Sequence, residues 1–131
     1  MTTATPFLMF QGGKAQPALD FYVAHVPDSR IDSVQRFGAD GPGPEGTIIR
    51  AHATIAGQSV MAHDSFIAHD FDFTPSWSFY LDCADAAEFD RLFETLSQDG
   101  QVLMPPGNYG WSTCFAWISD RFGVSWQLNL A

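Results

Sequence analysis

Apolar and polar positions along the chain follow two different periods, which separate two helices from a series of short strands. Residues 15–25 and 86–98 each carry apolar residues three and four positions apart, the spacing of an amphipathic helix. The other apolar segments alternate with polar residues or are rich in β-branched ones, and predict strands. These strands cover residues 5–11, 31–38, 47–56, 58–63, 76–82, 101–104, 111–118 and 124–130. The order β-α-β-β-β therefore occurs twice.

Glycine, proline and capping residues mark where these elements stop. Residues 38–46 form a loop rich in glycine and proline, and Gly57-Gln58 is interpreted as a hairpin turn. Asp85, three residues before Glu88, fits a capping box at the start of the second helix. Pro105-Pro106-Gly107 is expected to end the strand that begins at residue 101, and residues 64–75 are expected to link the two halves.

The two halves also share sequence detail. The segment from Gly57 to His63 matches the segment from Gly123 to Asn129, 66 residues later. This predicts an internal duplication within a single domain, residues 1–131, whose modules span about residues 1–66 and 72–131. The alternative is a chance similarity between two amphipathic strands.

Composition and charge restrict the class of protein. Of the 131 residues, 46% are hydrophobic and 16% charged, which excludes a disordered chain. No apolar run reaches the roughly 18 residues of a membrane helix, and residues 1–6 show no secretory signal, so we expect a cytoplasmic protein. The net charge is −9 and the six basic residues are scattered, which argues against nucleic acid or an anionic membrane as partner.

Two residue classes bear on chemistry. Cys83 and Cys114 form no C-x-x-C pair and are interpreted as reduced core residues. Aromatic residues make up 15% of the chain, more than a small core needs, which suggests an aromatic-lined cavity.

Several motifs together indicate a family. They are Phe21-Tyr22, Gly57-Gln58 followed by Met61-Ala62, the F-x-F-T-x-S-x-S-F stretch of residues 71–79 followed by Cys83, and D-R-F-G-V-S-W-Q at residues 120–127. With these motifs the chain resembles the PhnB-like group, whose members are often named 3-demethylubiquinone-9 3-methyltransferase. That group lies in the vicinal oxygen chelate superfamily of glyoxalase I, extradiol dioxygenases and bleomycin-resistance proteins. The resemblance implies an α+β fold of duplicated βαβββ modules that form a cupped mixed sheet.

The resemblance also implies where a metal or cofactor would lie. Superfamily enzymes hold a divalent metal at four strand positions, which fall here near Phe7 and at Met61, Ser76 and Gln127. Only Gln127 could ligate such an ion, so we expect no metal site of the superfamily type. Gly12-Gly13 lacks the G-x-G pattern of a nucleotide-binding loop, so we expect no cofactor despite the methyltransferase name.

Other catalytic groups do not stand out. The four histidines, His25, His52, His63 and His69, are interpreted as surface or linker residues, although a replacement metal site built from them is the alternative. Cys114 has no base beside it in the sequence, and no serine is paired with a histidine or an acid. The catalytic residues therefore stay unknown.

Strand alternation predicts a ligand cavity. Ser76, Ser78 and Tyr80 share one face of their strand, Gln127 lies on the polar face of the last strand, and Met61 lies on the corresponding face of the first half. With Trp111 at the rim, this lining suits a neutral small molecule with an aromatic or apolar body.

Three functions follow from this lining. The first is a metal-free small-molecule binding protein, and the second is an enzyme of unknown reaction on a quinone-like or other small aromatic substrate. The third is a ligand-free domain that acts through a dimer surface. The resemblance implies a homodimer.

Overall fold

Each half of the chain forms a four-stranded mixed sheet with one helix. The computed structural model describes residues 1–131, which divide into unit 1, Met1–Asp70, and unit 2, Phe71–Ala131. The elements of unit 1 are β1 (Phe7–Gln11), α1 (Ala15–His25), β2 (Arg30–Arg36), β3 (Ile48–Ile55) and β4 (Gln58–Ser65). The elements of unit 2 are β5 (Ser78–Asp82), α2 (Ala86–Ser97), β6 (Gln101–Gly107), β7 (Cys114–Ser119) and β8 (Ser125–Leu130).

The two sheets have the same topology. Their strand orders are β1-β4-β3-β2 and β5-β8-β7-β6, and in each the first and last strands of the unit pair in parallel. The remaining pairs are antiparallel. The predicted βαβββ order and α+β class are thus confirmed.

Period-2 alternation buries one face of each sheet. In unit 1, Phe10 and Ala62 are buried on the side where Leu19 of α1 packs. In unit 2, Trp126 and Leu128 are buried on the side of α2. Burial of these side chains is the main stabilising contribution in each unit, and it leaves the opposite sheet faces to carry other chemistry.

Each unit holds one buried carboxylate. Asp64 accepts hydrogen bonds from the Ala15 N–H at 2.9 Å and from the Ile48 N–H at 2.8 Å. Asp120 accepts from the backbone N–H of Val124 and, through Oδ2, from the Trp126 indole N–H at 2.8 Å. Both are less than 5% exposed, so these bonds offset the cost of burying charge.

The second helix starts as predicted. The Asp85 side chain accepts a hydrogen bond from the Glu88 N–H at 2.9 Å, and the Glu88 carboxylate accepts from the Ala84 N–H at 3.1 Å. The Asp85 half of the expected capping box is therefore confirmed, whereas Glu88 bonds the N–H one residue before the N-cap instead of the N-cap N–H itself. At the start of α1, Lys14 makes no side-chain capping bond, and the carboxylate of Asp64 takes that place from β4.

Several strand limits differ from the prediction by one to three residues, and three of them have a clear structural reason. β5 begins at Ser78, two residues late, because residues 75 and 76 form a turn. β4 runs to Ser65, into the expected linker, because its last residues pair with the end of β1. β7 begins at Cys114 because residues 110–113 form a bend that starts at Gly110, whose φ is +107°.

Pro105 and Pro106 do not end β6, which continues to Gly107. The strand lies at the edge of its sheet and pairs only with β7, so the missing proline N–H groups leave no second neighbour unpaired. Its register shifts on both sides of Met104, which accommodates the two rings.

The hairpin turn between β3 and β4 lies one residue earlier than predicted. Ile55 pairs with Gln58, so the two turn residues are Ala56 and Gly57. Their φ angles are +49° and +81°, the left-handed conformation that a two-residue type I′ turn requires. No helix of the structure is long and apolar enough to span a membrane.

Candidate functional site

The face of the unit 2 sheet that points away from α2 carries three rows of side chains, aligned across β5, β8 and β7. The strand register places residues of the three strands directly opposite one another. The rows are Ser78–Ser125–Ser119, Tyr80–Gln127–Trp117 and Asp82–Asn129–Phe115. Hydroxyl, amide and aromatic groups are therefore presented together on one surface.

Four aromatic rings form a cluster at one side of this face. The rings of Tyr109 and Trp111 stack with centroids 5.7 Å apart, and Trp111 meets Phe115 edge-on at 5.1 Å. Tyr80 lies 6.4 Å from the same Phe115 ring. We call Tyr80, Tyr109, Trp111 and Phe115 the aromatic cluster. Phe115 is buried, whereas Trp111 is 58% and Tyr80 51% exposed, so the cluster offers open ring surface.

A line of hydrogen bonds crosses the same face. The Trp117 indole N–H donates to Ser125 Oγ at 2.8 Å, and Ser125 Oγ lies 2.6 Å from Ser78 Oγ. The Gln127 Nε2 donates to Ser78 Oγ at 3.3 Å. We call Trp117, Ser125, Ser78 and Gln127 the relay. It joins three strands and holds the Gln127 amide against Ser78.

The third row ends in a carboxylate. Asn129 Nδ2 donates to Asp82 Oδ1 at 3.0 Å, and the buried Asn129 Oδ1 has no hydrogen-bond partner. Asp82 therefore places a negative charge on this face, and neither β5, β7 nor β8 contains a lysine or arginine.

The structure brings most of the predicted ligand residues together. Ser78, Tyr80 and Gln127 lie on one face of the unit 2 sheet, and Trp111 joins Tyr80 through the aromatic cluster. Ser76 lies apart from them, in the exposed turn before β5, where its hydroxyl contacts Thr74 Oγ1 at 2.7 Å.

Met61 lies on the corresponding face of unit 1. It is the register partner of Phe7 on β1 and of His52 on β3. The His63 ring stacks on Phe7 with centroids 4.6 Å apart. Burial lowers the pKa of His63, and the nearby Asp64 carboxylate opposes that shift. This face thus combines Phe7 and Met61 with the imidazoles of His52 and His63, in contrast to the hydroxyl-rich face of unit 2.

Of the two cysteines, Cys83 is not an activated nucleophile. Both thiols are free and half-buried. Burial, reinforced by the negative charge of Glu88, raises the pKa of the Cys83 thiol to about 11. At neutral pH this group is a thiol, the poorly nucleophilic form.

Unit 1 also holds a cavity of about 430 Å³ at the carboxyl ends of the parallel strands β1 and β4. Its lining includes Gly12 and Gly13 before α1, Pro44 of the loop, the buried Asp64, and Phe66. In open α/β sheets a nucleotide-type cofactor lies at this kind of place, with an acidic residue on its ribose. Here both oxygens of Asp64 already accept backbone N–H bonds.

Comparisons with known proteins identify the family. The family model described as 3-demethylubiquinone-9 3-methyltransferase matches residues 2–129. The chain belongs to this family. It is 47% identical to a PhnB protein from Bacillus cereus, with a TM-score of 0.93 over 99% of this chain and 100% of that one. It is 24% identical to protein YjdN of Escherichia coli K12, over 96% of this chain and 93% of that protein.

A more distant likeness identifies the fold of the superfamily. A glyoxylase/bleomycin resistance protein/dioxygenase domain from Frankia sp. EAN1pec is 13% identical, with a TM-score of 0.64 over 100% of this chain and 93% of that one. The family model and the Bacillus cereus protein confirm the PhnB-like assignment, and this distant likeness confirms the glyoxalase/bleomycin-resistance-like fold.

The groups that the family name and superfamily imply do not fit the residues present. Of the positions that the resemblance gave for a metal, Phe7 lies opposite Met61, Ser76 lies in the turn before β5, and Gln127 lies opposite Tyr80. These residues are poor donors for a divalent ion. No three His, Cys, Asp or Glu side chains converge elsewhere. A methyl donor would find no free carboxylate in the unit 1 cavity.

Sequence reasoning missed Phe115 and Trp117, because both lie in a nearly continuous apolar strand. Their alternation with the buried Ala116 and Ile118 places them on the opposite face, and Ser119 continues that alternation. A polar residue two positions beyond Trp117 was the available signal.

Proposed function

We propose that this protein binds a small molecule with an aromatic or apolar body on the unit 2 face, without a superfamily-type metal. The aromatic cluster is the observation that carries the proposal. Three large rings, Tyr80, Tyr109 and Trp111, stay exposed around a buried Phe115, next to hydroxyl and amide groups. Exposed rings that are held in place by one another bind flat apolar ligands at little cost in side-chain entropy.

Two further features support a binding function. The Tyr109 hydroxyl donates to the Pro105 carbonyl at 2.6 Å, which fixes its ring beside Trp111. The half-buried Cys83, with its raised pKa, offers no reactive thiolate. In this proposal Ser78, Tyr80, Trp111 and Gln127 contact the ligand, Met61 lines the face of unit 1, and Ser76 lies outside the contact. The homodimer and the cytoplasmic location implied by the resemblance and by the sequence complete the proposal.

Calorimetric titration with tetralin, a compact aromatic hydrocarbon, tests the proposal. We expect saturable binding that Trp111→Ala weakens by roughly tenfold, since one lost ring contact removes about 1 kcal/mol beyond its buried area. Trp77→Ala is the matched control, because Trp77 is also exposed in unit 2 but contacts Phe79 outside the cluster. Absence of saturable binding, or an equal loss in both variants, would refute the proposal.

Methyl transfer is the second candidate, favoured by the description of the matching family. It requires a bound methyl donor, for which the unit 1 cavity is a candidate place. Calorimetry with S-adenosylmethionine separates the two candidates. Our proposal predicts no heat of binding, whereas binding that Gly13→Val abolishes would favour the methyltransferase.

A further inference from the structure

The proton positions in the relay follow from which of its groups can donate. The Trp117 indole nitrogen only donates, so Ser125 Oγ accepts from it. Ser125 is 1% exposed, and the hydrogen-bond partners of its hydroxyl are Trp117 and Ser78. A buried hydroxyl proton without an acceptor is costly, so the Ser125 hydroxyl donates to Ser78 Oγ.

The relay therefore ends in free donors at the surface. Ser78 Oγ accepts from Ser125 and from Gln127 Nε2, which occupies both of its lone pairs. Its own hydroxyl proton has no acceptor within the molecule, and neither has the second N–H of Gln127. Reversing the Gln127 amide lets Ser78 donate to its oxygen and frees both N–H groups, so the exposed end of the relay presents donors in either orientation.

The charge around these donors determines which kind of acceptor group on a ligand they can bind. Asp82 lies on the same face, two positions along β5 from Tyr80, and the three strands carry no basic residue. A carboxylate or phosphate on the ligand would face Asp82 without a counter-charge. A neutral carbonyl oxygen accepts two hydrogen bonds and meets no such repulsion.

We infer that Ser78 and Gln127 bind a neutral carbonyl oxygen of an aromatic ligand, and that Trp117 and Ser125 are positioning residues that hold these donors outward. The inference rests on the proposed function and names the ligand class for that site: an aryl ketone or a similar neutral aromatic carbonyl compound. The aromatic cluster contacts the ring of this ligand, and the exposed donors of the relay bind its carbonyl oxygen.

Calorimetry with 1-tetralone and tetralin, which share one skeleton and differ in the carbonyl, tests this inference. We expect the wild-type protein to bind 1-tetralone roughly tenfold more tightly, as one to two neutral hydrogen bonds provide. Gln127→Leu removes an N–H donor and should reduce this ratio to about 3 or less. The anion 1-naphthoate should bind more weakly than 1-tetralone.

Trp117→Phe examines the relay itself. Without the indole donor, Ser78 can donate inward to Ser125, so the preference for 1-tetralone should fall while tetralin affinity stays the same. Should Trp117→Phe misfold, Ser125→Ala is the second variant: it leaves Ser78 no inward acceptor, so the preference for 1-tetralone should persist there and still fall when Gln127→Leu is added. Ser119→Ala is the matched control, a serine of the same row outside the relay.

Each outcome has a distinct meaning. Equal affinities for 1-tetralone and tetralin, tighter binding of 1-naphthoate, or an equal loss for both neutral probes in Trp117→Phe would overturn the inference and leave the proposed function standing. Failure of tetralin and 1-tetralone alike to bind would overturn the proposed function and the inference with it.

Discussion

The two units differ in how the helix between their first two strands is capped at its N-terminus. In unit 2, Asp85 caps α2 from its own N-terminus, three residues before its partner Glu88. In unit 1, α1 has no local side-chain cap, and Asp64 provides an acceptor from 49 residues further along. Equal topology therefore does not imply equal local chemistry.

This difference changes what the carboxylate holds together. Asp85 supports one helix end at the exposed surface, whereas the buried Asp64 also accepts from Ile48 at the start of β3. One side chain thus connects α1, β3 and β4. The lesson is that a long-range cap fixes tertiary structure, while a local cap fixes only a helix end.

Asp64→Ala should produce the largest loss of stability, about 3 kcal/mol, because two buried N–H groups lose a charged acceptor. Urea denaturation measures the loss, and hydrogen exchange should show faster exchange at the amides of Ala15 and Ile48. Asp64→Asn, which keeps one carbonyl acceptor, should lose less. A loss below 1 kcal/mol would show that the contrast between the two caps is not energetic.

Asp85→Ala should cost about 1 kcal/mol, the ordinary value of an exposed N-cap. The same denaturation experiment measures it, and faster exchange should be confined to the first turn of α2. Asp85→Ser, which retains a capping oxygen, is the matched control and should restore most of the loss. If Asp85→Ala lowered the free energy of unfolding as much as Asp64→Ala, the contrast between the local and the distant cap would be wrong.

A further contrast concerns the hairpins that precede the last strand of each unit. In unit 2 the left-handed position is Gly123, whereas in unit 1 one of the two such positions is Ala56, at a φ of +49°. Ala56→Gly should stabilise the protein by about 1 kcal/mol by relieving this strain. Ala24→Gly, at an exposed site within α1, should destabilise it by a similar amount. Thermal or urea denaturation would contradict this if both variants changed in the same direction.

The smallest expected effect is a pH dependence confined to unit 1, which contains all four histidines. Because burial lowers the pKa of His63 in the folded state, the unfolded chain binds the proton more readily. The contribution of His63 to the free energy of unfolding is therefore fully present above about pH 6.5, and it is lost as pH falls through the lowered pKa of His63. In His63→Asn, the difference between the urea midpoints at pH 7 and pH 5 should therefore be smaller than in the wild-type protein. A difference equal to that of the wild type would exclude His63 as its cause.

Sequence reasoning was reliable where the deciding interaction is local. The Asp85 cap of α2 joins residues three positions apart, and period-2 alternation placed Ser78, Tyr80 and Gln127 on one face. It failed where the structure depends on residues that are distant in the sequence. The continuation of β6 through its prolines depends on its edge position, which only the sheet order reveals.

The candidate site shows the same division. Its polar members could be predicted from single strands, but the aromatic cluster depends on Tyr109 and Trp111 lying beside Phe115, and those contacts arise from a bend whose shape no periodicity encodes. The relay spans 47 residues between Ser78 and Ser125. The direction in which the Ser125 and Ser78 hydroxyls donate follows only from the buried position of Ser125.

The distant cap of α1 also bears on the order of events during synthesis. On a ribosome, α2 has its capping residues as soon as its own first turn emerges. The first helix, although made earlier, lacks its acceptor until β4 has been translated, and β4 must also find its place beside β1. Contacts between residues far apart in sequence form late, so the N-terminal module is expected to consolidate only when its last strand arrives, leaving its apolar face open to chaperones until then.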